Sequence, residues 1–124
     1  MNYDNTLSRI KKFCEVRGWD PDKDSLAKSI VIESTELLEV FQWNDTLEKN
    51  FEAKKENVKE EIGDIFIYLV NFCNKINVDL LDCVNKKIDY NEIKFPESKF
   101  KNGHNEKFYR QRKAVYRIKP ATNN

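Results

Sequence analysis

Apolar side chains recur every three or four residues along most of this chain, which is the spacing of an amphipathic α-helix. The first predicted helix runs from about Thr6 to Arg17, and Gly18 follows it as a stop signal. The second predicted helix has Ser25 as its N-cap and ends near Trp43. A β-rich fold has little support, because the period-two alternation of a half-buried strand is missing from these stretches.

The helical pattern continues through the second half of the chain. A highly charged stretch over residues 47–59 leads into a third helix that continues to about Lys75, and its alternating charges are typical of a solvated helical face. Asp79 can cap a fourth helix, which must end before Pro96 because proline cannot continue it. With only three Gly and three Pro in 124 residues, the pattern predicts an all-α fold, a bundle of four to five helices.

The second helix carries a carboxylate where its pattern calls for an apolar side chain. At 100° per residue, Glu33 falls inside the apolar stripe and Glu36 lies at its edge. Burying an ionised carboxylate without compensation is very costly, so Glu33 must be neutral, paired with a base, or bound to a metal ion. The stripe itself consists of Leu26, Ile30, Leu37 and Phe41.

The third helix carries a second acidic pair with the same three-residue spacing. Glu61 and Asp64 lie beside its apolar side, and Tyr68 follows one turn beyond Asp64. Residues three apart on a helix lie on one face, where two carboxylates repel unless a cation sits between them. If the two helices face each other, Glu33 and Glu36 would complete an all-oxygen cage. The alternative is that these acids are ordinary solvated charges, and that alternative suits Glu33 poorly.

Composition narrows the choice of metal and of compartment. The only histidine, His104, lies in the polar tail, and the three cysteines lack the spacing of metal ligands, so oxygen ligands alone would select Mg²⁺ or Mn²⁺. The net charge of +1 hides an asymmetry, because residues 98–124 hold eight Lys or Arg against Glu106, leaving −6 on residues 1–97. No apolar run approaches a membrane span and no hydrophobic signal segment opens the chain, which predicts a cytoplasmic protein without a membrane partner.

Three segments of the sequence together resemble a known enzyme family. They are IESTELLEVFQW at residues 32–43, EEIGDIFIY at residues 60–68, and KIDYN at residues 87–91, ahead of Phe95-Pro96. In this order they resemble the MazG-like all-α nucleoside triphosphate pyrophosphohydrolases, and the Phe-Gln-Trp run looks most like the dCTP pyrophosphatase branch. The resemblance spans about Leu7 to Gly103, so we expect one enzymatic domain over residues 1–103 and a basic tail over residues 104–124.

The resemblance implies Mg²⁺-dependent hydrolysis of a nucleoside triphosphate, with dCTP or a related pyrimidine nucleotide as substrate, between its α and β phosphates. It implies that four residues bind the metal and serve catalysis, without identifying a general base: Glu33, Glu36, Glu61 and Asp64. The sequence departs from the family pattern at two places. Many relatives have two adjacent acids where this chain has Ile32-Glu33, and residues 19–26 match the family poorly.

Substrate contacts are also expected. Trp19 and Trp43 sit at helix ends and could offer a flat platform on which a base stacks, as the resemblance also implies. Tyr68 could offer its hydroxyl to the sugar or a phosphate. Lys87 and Asn91, four apart on the fourth helix, match family positions that contact phosphate or sugar. Each of these side chains could instead have a structural or surface role.

The third helix is apolar almost all round from Ile65 to Val70, which predicts subunit contacts and a homodimer or homotetramer. Two other functions compete with the hydrolase. The basic tail, with Phe108, Tyr109 and Tyr116 interspersed, could bind single-stranded nucleic acid, or the chain could be a helical interaction protein without catalysis. Neither explains Glu33, so we expect a nucleotide substrate and no nucleic-acid partner.

Overall fold

A computed structural model describes residues 2–42 and 47–117, and within those ranges the chain is helical without strands. Five α-helices follow one another, with a 3-10 turn at Glu97–Phe100 before the last. The all-α prediction is confirmed. The helices are α1 at Tyr3–Glu15, α2 at Lys23–Val40, α3 at Leu47–Lys75, α4 at Leu80–Lys94 and α5 at Glu106–Arg117. The charged stretch after residue 47 is therefore part of α3 rather than a separate segment.

Capping side chains fix where the first two helices begin. The Asn2 side chain accepts a hydrogen bond from the Asn5 amide at 2.9 Å, so α1 starts earlier than its apolar pattern indicates. Asp22 accepts from the Ser25 amide at 2.7 Å and is the N-cap of α2. The prediction of Ser25 as the cap was wrong, because an aspartate three residues earlier reaches the same free amide and leaves Ser25 inside the first turn.

The chain divides into two compact units, residues 1–80 and residues 81–124. In the first unit α2 packs along α3, and α1 packs against α3 as well. The buried apolar side chains of the described residues are few: Ile10, Leu26, Val70 and Cys73. A unit that buries so little in one copy leaves much of its apolar surface in contact with solvent.

The second unit is held by aromatic contacts between α4, the 3-10 turn and α5. Phe95 stacks on Tyr109 with ring centroids 5.0 Å apart, and Tyr90 meets Tyr116 edge to face at 5.6 Å. The basic tail is thus helical from Glu106 to Arg117, and the outer face of α5 carries exposed cations. The boundary at residue 103 between domain and tail stays a prediction.

Among the helices of the described ranges, none combines the length and the apolar character that crossing a membrane requires. Cys14, Cys73 and Cys83 form no disulfide bond with one another. Localisation in the cytoplasm stays a prediction.

Candidate functional site

The two acidic pairs predicted from the sequence meet between α2 and α3. Glu33, Glu61 and Asp64 each offer one carboxylate oxygen, and these oxygens all lie within 4.8 Å of one another. Glu33 and Glu61 are partly buried, whereas Asp64 is exposed, so the cluster opens to solvent on the Asp64 side. This arrangement arises because the apolar stripe of α2 packs on α3 and carries Glu33 inward with it.

Glu36 belongs to the same cluster through its charge. Its carboxyl acts on both Glu33 and Glu61, and it raises the pKa of each. Ionised carboxylates have acceptors and no donors, so their close approach is repulsive and forms no hydrogen bond between them. Glu36 itself is exposed, and the oxygens that lie within 4.8 Å of one another are those of Glu33, Glu61 and Asp64.

Burial and like charge both disfavour the ionised form of the inner acids. The pKa of Glu33 is raised from 4.5 to about 7, first by burial and then by the neighbouring carboxyls of Glu36, Asp64 and Glu61. The pKa of Glu61 is also raised, again chiefly by burial and then by the charge of Glu36. The metal-free cluster thus holds negative charge at an energetic cost.

The donor set fits a hard divalent cation. Glu33 Oε2 and Glu61 Oε2 are buried, and neither has a hydrogen-bond partner in the part of the chain that the structure describes. Buried carboxylate oxygens without a donor are rare in folded proteins, since each costs its full desolvation energy. A cation between them would satisfy both oxygens and remove the repulsion, and oxygen-only ligands suit Mg²⁺ and Mn²⁺.

Trp19 is placed by the end of α1. Gly18 adopts a positive φ of 64°, a conformation that costs glycine little, and the Trp19 amide then donates to the Cys14 carbonyl at 3.1 Å. The indole packs edge to face on Phe13 at 5.6 Å and remains 58% exposed. The Arg17 guanidinium lies 5.9 Å from the centroid of the indole ring. An aromatic side chain this exposed is poorly explained as a core anchor, because much of its surface contacts solvent.

A pocket of about 610 Å³ lies beside Trp19 in the first unit. We call it the Trp19 pocket, and its walls include Cys14, Trp19, Leu26, Ser29, Tyr68 and Asn71. Ser29 precedes Glu33 by four residues on α2, and Tyr68 follows Asp64 by four residues on α3. One helical turn, about 5.4 Å along each axis, therefore separates the pocket from the acidic cluster on both helices.

Asn71 is a pocket residue that sequence reasoning missed. It interrupts the apolar run of α3, and it lies seven residues after Asp64 and three after Tyr68, so the three side chains share one helical face. The spacing of Asn71 from Asp64 and Tyr68 was the sequence feature from which its place on this face could have been predicted. Cys14, also missed, contacts Asn71 from α1, and no local pattern indicates a contact between residues 57 positions apart.

The remaining predicted substrate contacts lie in the second unit or outside the described ranges. Lys87 is exposed on α4, with its ammonium 4.6 Å from the centroid of the Tyr90 ring. Asn91 lies one turn further along α4, and its carbonyl accepts from the Phe95 amide at 2.7 Å. Trp43 is not among the described residues. The roles of these three residues in substrate binding stay predictions.

Comparisons with known proteins agree with this geometry. The MazG-like family matches residues 28–110. The chain is 32% identical over 101 residues to dCTP pyrophosphatase 1 of Mus musculus, and 31% identical over 101 residues to that of Homo sapiens. The mouse match covers 73% of this chain and 59% of the relative, so the chain spans about three-fifths of the length of the curated relatives it matches.

A solved structure resembles the fold. The crystal structure of a pyrophosphatase from Archaeoglobus fulgidus superimposes with a TM-score of 0.69 at 35% sequence identity. The match covers 77% of this chain and 95% of the archaeal chain. The family match over residues 28–110 includes the acidic cluster, whereas Cys14, Trp19 and Leu26 of the Trp19 pocket precede its first matched residue.

Proposed function

The chain belongs to the MazG-like family, and from this we propose that it hydrolyses a nucleoside triphosphate between the α and β phosphates, releasing a monophosphate and pyrophosphate. One observation carries the proposal: carboxylates from α2 and α3 converge, and buried oxygens of Glu33 and Glu61 have no partner there. The relatives support it, because all three reported above are pyrophosphatases by name. Such an activity would adjust or cleanse the nucleotide pool of the cytoplasm.

The proposed cofactor is Mg²⁺, with Mn²⁺ as a substitute, and the proposed ligands are Glu33, Glu36, Glu61 and Asp64. When bound, the cation supplies charge neutralisation for the triphosphate and a lowered pKa for the attacking water. The carboxylates do the rest. They would hold the cation at the solvent-open edge of the cluster, so that its charge offsets their repulsion of the phosphates, and a carboxylate oxygen left uncoordinated there takes the proton of the water.

The base would occupy the Trp19 pocket. Its position one turn from the acidic cluster suits a nucleotide whose phosphates lie at the carboxylates and whose base stacks on the exposed indole, a contact worth roughly 1–3 kcal/mol. The relatives' name supports dCTP or a related pyrimidine nucleotide as the substrate. We further propose that Tyr68 contacts the sugar or a phosphate, that Lys87 and Asn91 contact phosphate or sugar, and that Trp43 is a second base contact.

The direct test is to incubate the protein with a panel of ribo- and deoxynucleoside triphosphates and Mg²⁺ in ¹⁸O-labelled water. We expect pyrophosphate as product, dCTP or another pyrimidine deoxynucleotide as the best substrate, and the label in the monophosphate, because water attacks the α phosphorus. Release of orthophosphate would contradict the proposed bond cleavage. No turnover with any nucleotide, together with salt-sensitive binding to oligonucleotides, would favour nucleic-acid binding by the basic tail.

We also propose that the functional unit is a homodimer or a homotetramer. Large apolar side chains on the outside of the first unit remain exposed in one copy, including Val31 and Leu38 at 65% each and Ile62 at 56%. Val31 and Leu38 are seven residues apart and therefore lie on one face of α2, away from the face that carries Glu33. A second copy is the simplest partner that could cover such a surface.

Leu38→Lys is expected to convert the oligomer into monomers and to lower its thermal stability, because a lysine would place a charge in the centre of the proposed contact. Sedimentation velocity and a thermal melt check this. Val16→Lys is the matched control, because Val16 is equally exposed, at 68%, and lies at the end of α1. A wild-type chain that sediments as a monomer at micromolar concentration would contradict the proposal.

A further inference from the structure

The wall of the Trp19 pocket contains a side-chain amide that the proposed metal and stacking contacts leave unused. Asn71 lies on α3 and meets only a thiol in the contacts that the structure describes for its side chain: its Nδ2 is 3.6 Å and its Oδ1 is 3.7 Å from Cys14 Sγ. Sulfur is a weak donor and a weak acceptor. The amide therefore keeps most of its hydrogen-bonding capacity for whatever enters the pocket.

We infer that Asn71 reads the hydrogen-bonding edge of the base, and this inference rests on the proposed function. Asn71 shares one face of α3 with Asp64, and seven residues of helix place the two about 10 Å apart along the axis. That is the scale of the separation between the phosphate of a nucleotide and the far edge of its base. A base stacked on Trp19, with its phosphates at the carboxylates, thus presents its edge to Asn71.

The amide matches a pyrimidine edge in two ways. In one orientation Oδ1 accepts from the amino group of cytosine while Nδ2 donates to the ring nitrogen beside it. After inversion of the amide, Nδ2 donates to the carbonyl of uracil or thymine while Oδ1 accepts from the ring N–H. Asn71 can therefore form two parallel hydrogen bonds with either type of edge.

Cys14 leaves both orientations open. Its sulfur is nearly equidistant from the oxygen and the nitrogen of the amide, and a thiol can donate to the first or accept from the second. A carbonyl or an ammonium at this position would fix the amide in one orientation and select one base. The site consequently discriminates weakly between cytosine and uracil, and we expect kcat/KM for dCTP and dUTP to differ by less than about tenfold.

The test uses two variants of similar size on three substrates. Asn71→Leu removes both hydrogen bonds, so kcat/KM for dCTP and dUTP should fall together by about 10- to 100-fold, mainly through KM. 2-Deoxyribose 5-triphosphate, which lacks a base, should be hydrolysed as by the wild type. Asn71→Asp keeps only acceptors, so it retains one hydrogen bond with either base, to the amino group of cytosine or to the ring N–H of uracil, and repels the ring nitrogen of cytosine or the carbonyl of uracil. kcat/KM for dCTP and dUTP should therefore again fall together, and their ratio should stay within about tenfold of that of the wild type.

Asn85→Leu, on the exposed side of α4, is the control and should change none of these rates. Unchanged kcat/KM for both nucleotides in Asn71→Leu would overturn the inference. So would an equal loss on the baseless substrate, because that would reveal a role in folding or in phosphate binding. A wild-type protein that produces no pyrophosphate would instead refute the proposed function, so the two failures are distinguishable.

Discussion

Glu33→Gln is expected to lower turnover of the best nucleoside triphosphate by about 10²- to 10³-fold or more, and to raise the thermal stability of the metal-free protein at pH 8. The loss of rate follows because the amide cannot replace an anionic ligand at the centre of the cluster. The gain in stability follows because glutamine resembles the protonated acid, which the burial of Glu33 and the charges of Glu36 and Asp64 favour.

The sign of the pH dependence comes from the raised pKa of Glu33. Its folded-state pKa is about 7 and its ordinary value is 4.5, so between these values the folded protein holds a proton that the unfolded chain has lost. Stability of the metal-free wild type therefore falls as pH rises from about 4.5 to 7, and the loss is complete above that range. Glu33→Gln should melt about 2–5 °C higher than the wild type at pH 8, with little difference at pH 4.5.

Scanning calorimetry and a pyrophosphate-release assay on the same preparations check both effects. Glu39→Gln is the matched control, because Glu39 lies on the same helix and is exposed, and it should change neither rate nor stability. Circular dichroism should show the helical spectrum of the wild type in both variants. A Glu33→Gln variant with near-normal turnover would remove Glu33 from the proposed ligands, whereas a lower melting temperature at pH 8 would contradict the unfavourable burial of its charge.

Sequence periodicity predicted α1 to α4 because each carries an aliphatic stripe, and stripes of that kind are local information. It did not predict whether the basic tail folds, because α5 uses aromatic rings such as Phe108 and Tyr109 instead of aliphatic side chains and carries cations on its other face. Helix starts were less predictable. Asp22 and Ser25 are both good caps three residues apart, and only the hydrogen bond between them shows which one caps α2.

The acidic cluster could be predicted in outline because Glu33 contradicts the pattern of its own helix. A carboxylate in an apolar stripe requires compensation, and the second acidic pair supplied a place to look for it. The Trp19 pocket could not be predicted from the sequence in this way. Its Cys14 and Asn71 walls depend on how α1 crosses α3, a contact between residues distant in sequence, and neither residue type is conspicuous among helical neighbours.

Removing divalent cations with a chelator is expected to abolish turnover completely, and Mg²⁺ or Mn²⁺ should restore it. The physical reason lies in the cluster itself, since four carboxyl groups repel one another and would repel a triphosphate as well. The same repulsion predicts a change in stability. A cation that binds only the folded chain stabilises it by about 2.7 kcal/mol at a concentration 100 times its dissociation constant, so Mg²⁺ should raise the melting temperature.

This increase should depend on pH and on the cluster. It should be larger at pH 8 than at pH 5, because protons compete with the cation for Glu33, whose pKa is about 7. Glu33→Gln should lose most of the increase, whereas Glu39→Gln should retain it, so a thermal melt tests the ligand assignment independently of activity. Full turnover in excess chelator, or an equal Mg²⁺ effect in Glu33→Gln, would mean that the unpartnered oxygens of Glu33 and Glu61 do not serve to hold a cation.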